Sequence, residues 1–356
     1  GGAQSYPSRT KDQIPVDFST GSVGLGVAIT AFSSLVQDYL IAHGQMDEAK
    51  AGRMIALMGD AELDEGNIYE CLIEGYKHDI RNCWWVVDYN RQSLDHTTAD
   101  RMFRRFDDIF ETCGWRVVTL KYGKRQKAAF VMPGGASLQE WIDTCPNADF
   151  AVLTYQGGAA WRARLTTDFG GKPNFAALLA RYDDAALAEL MTNLGGHCVA
   201  SLIEAFDGAQ DTRPTLFIAY TVKGFGLPLA GHKDNHSGLM NPTQLAALRA
   251  SMTIEEGGEW EPLGGLGGNL RAATEALISK SRIRRDKRSR DFGRLAIPAI
   301  PAPVGDEQFD ETSQVVGRVP AALQTCGMTG PALADTHQFV AVEEHLARAE
   351  AVKAHQ

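Results

Sequence analysis

Two short polar segments each follow directly on an apolar run: Gly59-Asp60-Ala61-Glu62 after residues 54–58, and Asp88-Tyr89-Asn90-Arg91-Gln92 after residues 83–87. Asp60 and Asn90 are separated by the length of one strand–helix–strand unit, which needs roughly 30 residues. A helix of about thirteen residues at ~1.5 Å each spans about 20 Å, and a return strand of about six residues at ~3.3 Å covers a similar length. Both polar segments are therefore expected at the carboxyl edge of neighbouring parallel strands, the edge where open α/β sheets bind ligands. A carboxylate and an amide oxygen meeting there are hard donors suited to Mg²⁺, which is held by one or two protein carboxylates together with substrate phosphates. Glycine turns and helix N-termini at the same edge offer backbone N–H groups to a diphosphate, and Gly21-Ser22-Val23-Gly24-Leu25-Gly26 is such a turn. The pattern asks for a metal–diphosphate ligand.

The elements that must position these groups follow an α/β order. Residues 22–42 read as a helix entered through the glycine turn, 54–58 as a buried strand and 65–77 as a helix. Further buried strands are expected at 83–87, 115–120, 151–155 and 216–220, with helices at 101–113 and 196–206. The fold class expected is a five-stranded parallel sheet with helices on both faces, occupying residues 1–250. Residues 257–269 are rich in glycine, 281–294 are basic and 297–304 are rich in proline. We read 251–305 as a linker with a short helix in it, and 306–356 as the stub of a second domain.

Bulk properties exclude several classes. The 356 residues carry a formal net charge of -9, with 44% hydrophobic and 22% charged residues. An acidic balance argues against nucleic acid as a partner, and the basic run 282–294 reads as a solvated linker helix. No run of 18 apolar residues is present, so no membrane span is expected. Six cysteines, Cys71, Cys83, Cys113, Cys145, Cys198 and Cys326, form no C-x-x-C pair and read as reduced thiols of a cytoplasmic protein. The chain begins at Gly1 rather than Met, and no signal-peptide pattern precedes the first domain.

Gly-Asp-Gly followed some thirty residues on by Asp-x-Asn resembles the signature of thiamine diphosphate enzymes of the transketolase and homodimeric pyruvate dehydrogenase type. The resemblance runs from about residue 15 to 305. It implies a diphosphate-binding domain with thiamine diphosphate and Mg²⁺ as cofactors. The metal ligands implied are the side chains of Asp60 and Asn90 and the main-chain oxygen of Gln92. Gly21, Val23, Gly59, Ala61, Leu94 and Lys223 would lie against the cofactor with them. Thr221-Val222-Lys223-Gly224-Phe225-Gly226 is similar to the family's Thr-x-Lys-Gly-x-Gly, whose lysine approaches the diphosphate. His236 stands where these enzymes carry an active-site histidine on a mobile loop, and Glu65-Gly66 with Glu70 looks like the acidic part of the subunit interface. Asp95, Arg101 and the Phe-Arg-Arg-Phe stretch at 103–106 lean toward the pyruvate dehydrogenase branch. That branch decarboxylates a 2-oxo acid such as pyruvate and passes the acyl group to a lipoyl acyltransferase component, in a homodimer.

Two departures stand out. The third glycine of the signature is Ala61. No residue takes the part of the glutamate that the family's second domain sets against the aminopyrimidine ring, and the histidines expected upstream of the glycine turn are missing, so the chain looks cut at both ends. Taken singly, Asp60 and Asn90 read more plainly as a turn and a cap, whereas a surface lysine for Lys223 and a solvated loop histidine for His236 are the lesser alternatives; it is the order and combination of these residues that point to a cofactor. His232 and His236 lack the glutamate of a zinc helix motif, and Trp84 and Trp85 read as core and interface packing. Transketolase-type two-carbon transfer remains the alternative activity, and a catalytically silent subunit needing a partner chain the alternative role. A nicotinamide dehydrogenase is disfavoured because no strand precedes the glycine turn.

Overall fold

In the computed structural model, residues 6–8, 11, 16–93, 96–97 and 103–280 are described, all within the first of two compact units, Gly1–Asp291. The sheet is built from β1 (Met54–Gly59), β2 (Cys83–Tyr89), β5 (Arg116–Leu120) and β6 (Thr215–Tyr220), in the order β1-β2-β6-β5 and parallel throughout. A short antiparallel pair, β3 (Gln92–Ser93) with β4 (His96–Thr97), follows β2.

Helices cover both faces. On one side α1 (Leu25–Ala42), α2 (Gly66–Lys77) and α3 (Phe103–Thr112) share a core with Met58, Trp85, Val87 and Ile218. α1 buries Val27, Thr30, Ala31 and Ser34, a three-and-four spacing that gives one inward stripe. Trp85 is fully buried between Phe110 and Trp115, and its indole N–H donates to Thr30 Oγ1 at 3.1 Å. On the other side α10 (Val199–Asp207) lays Phe206 over Trp84 and Phe217. Both tryptophans are core residues, as their apolar context implies.

α1 is 18 residues long and apolar enough in composition to cross a membrane, with mean hydropathy 1.4. Its inward polar groups are nevertheless used inside the fold: Gln37 pairs with both the N–H and the carbonyl of Gly52, at 2.7 and 2.9 Å, and Ser34 bonds to the Arg81 carbonyl. Here α1 is a docked helix on the sheet.

The fourth of the five expected strands, 151–155, is helix. α6 (Asn147–Gln156) starts after Pro146 and stops at Gly157, whose φ is 85°. Only Phe150 and Leu153 of this helix are buried, a spacing of three, while Val152 and Tyr155 are half exposed. A five-residue apolar run does not by itself separate the two periods. α6 belongs to a helical segment inserted between β5 and β6, made of α4 (Lys124–Phe130), α5 (Gly135–Thr144), α6, α7 (Gly158–Phe169), α8 (Phe175–Leu179) and α9 (Asp184–Met191). After β6 come α11 (Pro242–Ser251) and α12 (Gly268–Lys280), neither with a buried residue. Leu94, Asp95, Arg101, Cys326, the linker beyond residue 280 and the stub at 306–356 lie outside the described residues.

Candidate functional site

β1 and β2 run side by side with Gly59 opposite Asp88, so the chain leaves both strands at the same edge. Past β1 it turns into a short 3-10 helix, Asp60–Asp64; past β2 it turns through Asn90 and Arg91. The two turns are bonded to each other. Asp60, only 5% exposed, accepts the Arg91 N–H on Oδ2 at 2.9 Å and the Ala61 N–H on Oδ1 at 3.1 Å. Asn90 Oδ1 accepts the Gln92 N–H at 2.9 Å, closing an Asx turn. Arg91 at the apex has φ 65°, a left-handed conformation unusual for a side chain of its size.

Burial pushes the Asp60 carboxyl up to about 6, and the like charge of Asp88 adds to the rise against the pull of the two N–H donors. Asp88 in turn is bonded to the Thr221 hydroxyl, just past β6. A carboxylate desolvated beside another carboxylate is a place where a cation lowers the energy, and the oxygen donors of Asp60 and Asn90 are of the hard type. A Cβ built on Gly59 would meet nothing within 4 Å, so this backbone is open to close approach. The residues present suit a hard divalent cation carrying an anionic ligand.

Glu62 joins the glycine turn to this edge. Its Oε1 accepts from Gly59 N at 3.1 Å and its Oε2 from Gly24 N at 2.9 Å. Gly24 has φ 80°, a conformation that favours glycine, and a Cβ there would fall 2.6 Å from Asn67 Oδ1 and displace that side chain. Beside this link lies a cleft of ≈ 440 Å³ lined by Gly21, Val23, Ile55, Leu57 and Glu62 among others. Gly21 and Val23 thus line the same cleft as Glu62. Ala61 lies in the 3-10 turn and is not among the residues of positive φ, so alanine is accommodated there without strain.

The segment after β6 closes the other side. Gln92, 8% exposed, donates from Nε2 to the Gly231 carbonyl at 3.3 Å and accepts on Oε1 from Asn235 Nδ2 at 2.9 Å. The Lys223 carbonyl accepts from Gly231 N and Asn235 Nδ2, both at 3.1 Å. His197 Nε2 accepts the Val222 N–H at 2.8 Å, and its ring stacks on Phe225 with centroids 3.8 Å apart. The Arg91 guanidinium lies 4.3 Å from the Phe150 ring centroid and tethers α6 to this edge. The structure therefore gathers Asp60, Asn90, Gln92 and the Lys223 backbone into one bonded group. His236 ends a 3-10 turn, Lys233–His236, next to Asn235 and is exposed. His232 Nδ1 accepts from Asp234 N, an internal cap; among the described residues no cluster of three His, Cys, Asp or Glu side chains could hold a metal.

The sequence alone assigns no role to Glu62, His197, Asn235 or the Gln92 side chain. Glu62 carries a usable signal, an acidic side chain three residues after Gly59 that reaches back to the N-terminal N–H of the following turn. The other three act across long sequence separations and carry none.

No family model matches the chain. Over 238 residues it is 28% identical to the pyruvate dehydrogenase E1 component of Escherichia coli (strain K12), covering 66% of this chain and 26% of that protein. It is 26% identical over 231 residues to the pyruvate dehydrogenase E1 component of Corynebacterium glutamicum, covering 64% and 24%. The chain spans about a quarter of the length of the curated relatives it matches. Similar solved structures include transketolase from Campylobacter jejuni, with 16% identity, TM-score 0.40 and coverage of 66% of this chain and 26% of that one. Transketolase from Leishmania mexicana has 16% identity and TM-score 0.41, with coverage of 74% and 29%. The resemblance carried by the glycine, aspartate and asparagine segments is thus borne out by sequence similarity to pyruvate dehydrogenase E1 components.

Proposed function

We propose that this chain is the diphosphate-anchoring part of a thiamine diphosphate enzyme of the pyruvate dehydrogenase E1 type. The observation that carries the reading is the pairing of Asp60 with the Arg91 N–H and of Asn90 with the Gln92 N–H, which sets two hard oxygen donors at adjacent strand ends. Similarity to pyruvate dehydrogenase E1 over 238 residues supports it. When bound, thiamine diphosphate supplies the carbanion chemistry that decarboxylates a 2-oxo acid.

The chain's own share is binding and orientation. Asp60, Asn90 and the Gln92 carbonyl would hold Mg²⁺, relieving the charge that burial and Asp88 set against the Asp60 carboxylate. Gly21, Val23, Gly59 and Ala61 would offer backbone at close range, and the Lys223 ammonium would offset diphosphate charge. His236, exposed at the end of its turn, would meet a substrate carboxylate or carbonyl. A homodimer, a lipoyl acyltransferase component as acyl acceptor, and a cytoplasmic setting belong to the same proposal.

Turnover decides the substrate class. With thiamine diphosphate and Mg²⁺ present, the reading expects pyruvate-dependent reductive acylation of a lipoyl acceptor by the enzyme that contains this chain. Two-carbon transfer between sugar phosphates, without lipoyl acylation, would replace it by the transketolase reading.

A further inference from the structure

We propose that Asn235 is a positioning residue that couples the metal-binding turn at 90–92 to the segment carrying His236; the proposal rests on the cofactor reading of that turn. Two side-chain amides form the link. Asn235 Nδ2 faces the Lys223 carbonyl at 3.1 Å, which can only accept, so the nitrogen end of that amide is fixed there. The same Nδ2 donates to Gln92 Oε1 at 2.9 Å, which leaves Gln92 Nε2 toward the Gly231 carbonyl at 3.3 Å. Reversing either amide would set an oxygen against a carbonyl oxygen. Each amide therefore determines the orientation of the other.

The link is shielded from water. Gln92 is 8% exposed, and Asn235 Oδ1 is buried with no hydrogen-bond partner among the described residues. Bonds in such a setting are not freely exchanged for water, so displacement of one partner is resisted by the other. Beyond the amides the segment is internally braced: Asn235 N bonds to the His232 carbonyl at 3.2 Å and Asp234 N to His232 Nδ1 at 3.1 Å. His232 also packs against Tyr155 of α6, with ring centroids 4.5 Å apart. Residues 231–235 thus move as one piece, with His236 at its end. Gln92 supplies a main-chain oxygen to the proposed metal site and a side chain to this piece. What fixes its backbone fixes the histidine segment, and by linkage the segment's position feeds back on metal–diphosphate affinity.

Hydrogen exchange of the full chain, read by mass spectrometry, tests the coupling, with Gln92→Met, Asn235→Leu and the double variant keeping side-chain bulk without the hydrogen bonds. Without ligand, the amides of 231–238 should exchange about three- to tenfold faster in each single variant, and in the double by less than the product of the two, the non-additivity expected of a shared link. Strands β2 and β6 should be unchanged. With thiamine diphosphate and Mg²⁺, the wild type should gain protection both at 90–92 and at 231–238. Asn235→Leu should gain it at 90–92 only, and bind the cofactor about three- to tenfold more weakly. Unchanged ligand-free exchange at 231–238 in Gln92→Met, or ligand protection of 231–238 that survives Asn235→Leu, overturns the proposal. If the wild type binds no cofactor, the anchoring reading fails, and the ligand-free arm still decides the link.

Discussion

The carboxylate of Asp60 accepts a 2.9 Å hydrogen bond from the backbone N–H of Arg91, 31 positions further along the chain and just past the end of the neighbouring strand. A side chain at the end of β1 thereby fixes the turn that follows β2. The turn holds Arg91 in a left-handed conformation and presents Asn90 and Gln92 at the same edge.

Replacing that carboxylate by its amide isostere separates binding from stability. Asp60→Asn loses one accepted N–H bond but also the cost of a buried charge beside Asp88, and the two effects oppose each other. Urea denaturation of the ligand-free variant should shift stability by no more than about 1 kcal/mol. A loss of several kcal/mol would mean that Asp60 is mainly a structural strut.

Glu62 is expected to be the costlier change. Its two oxygens each accept a backbone N–H, from Gly24 and Gly59, and an amide can present only one acceptor. Glu62→Gln should lower stability by about 1–2 kcal/mol, since hydrogen bonds to charged groups are among the stronger ones. Limited proteolysis at residues 20–24 should accelerate in parallel. A variant as stable and resistant as the wild type would show that the bridge is dispensable.

Restoring the third glycine of the signature should not help. Ala61 occupies a turn that needs no positive φ, so Ala61→Gly adds only chain entropy in the unfolded state. A stability decrease of about 0.5–1 kcal/mol is expected. A gain in stability would show that alanine is strained there.

His197 sets a pH dependence. Its Nε2 must be unprotonated to accept the Val222 N–H, and burial lowers its pKa below the ordinary 6.5, against the opposing pull of Asp88. The unfolded chain then binds the proton more tightly than the folded one, so stability rises with pH in that window. The contribution is fully present above about 6.5 and is lost as pH falls from there through the folded value. The difference in denaturation midpoint between wild type and His197→Asn should therefore shrink below pH 6.5. A difference that is flat with pH would remove His197 from the latch on the Val222–Phe225 segment.

β1 and β2 were readable because short apolar runs end abruptly in polar residues, and that ending also placed Asp60 and Asn90 at one edge. α6 was not, because the short, largely apolar run Ala151 to Tyr155 shows no period of its own and only the burial of Phe150 and Leu153 shows the helical one. Asn235 meets Gln92 across 143 positions, and His197 meets Val222 through a backbone donor. Neither contact leaves a periodic or compositional trace. The turn chemistry of single segments shows in sequence; the bonds between segments appear only once the sheet has assembled them.

The most direct test of the anchoring claim is a calorimetric titration of the chain with thiamine diphosphate, with and without Mg²⁺, repeated on Asp60→Ala. The account predicts saturable binding that requires the metal and is lost in the variant. Metal-independent binding, or binding undiminished in Asp60→Ala, would contradict it.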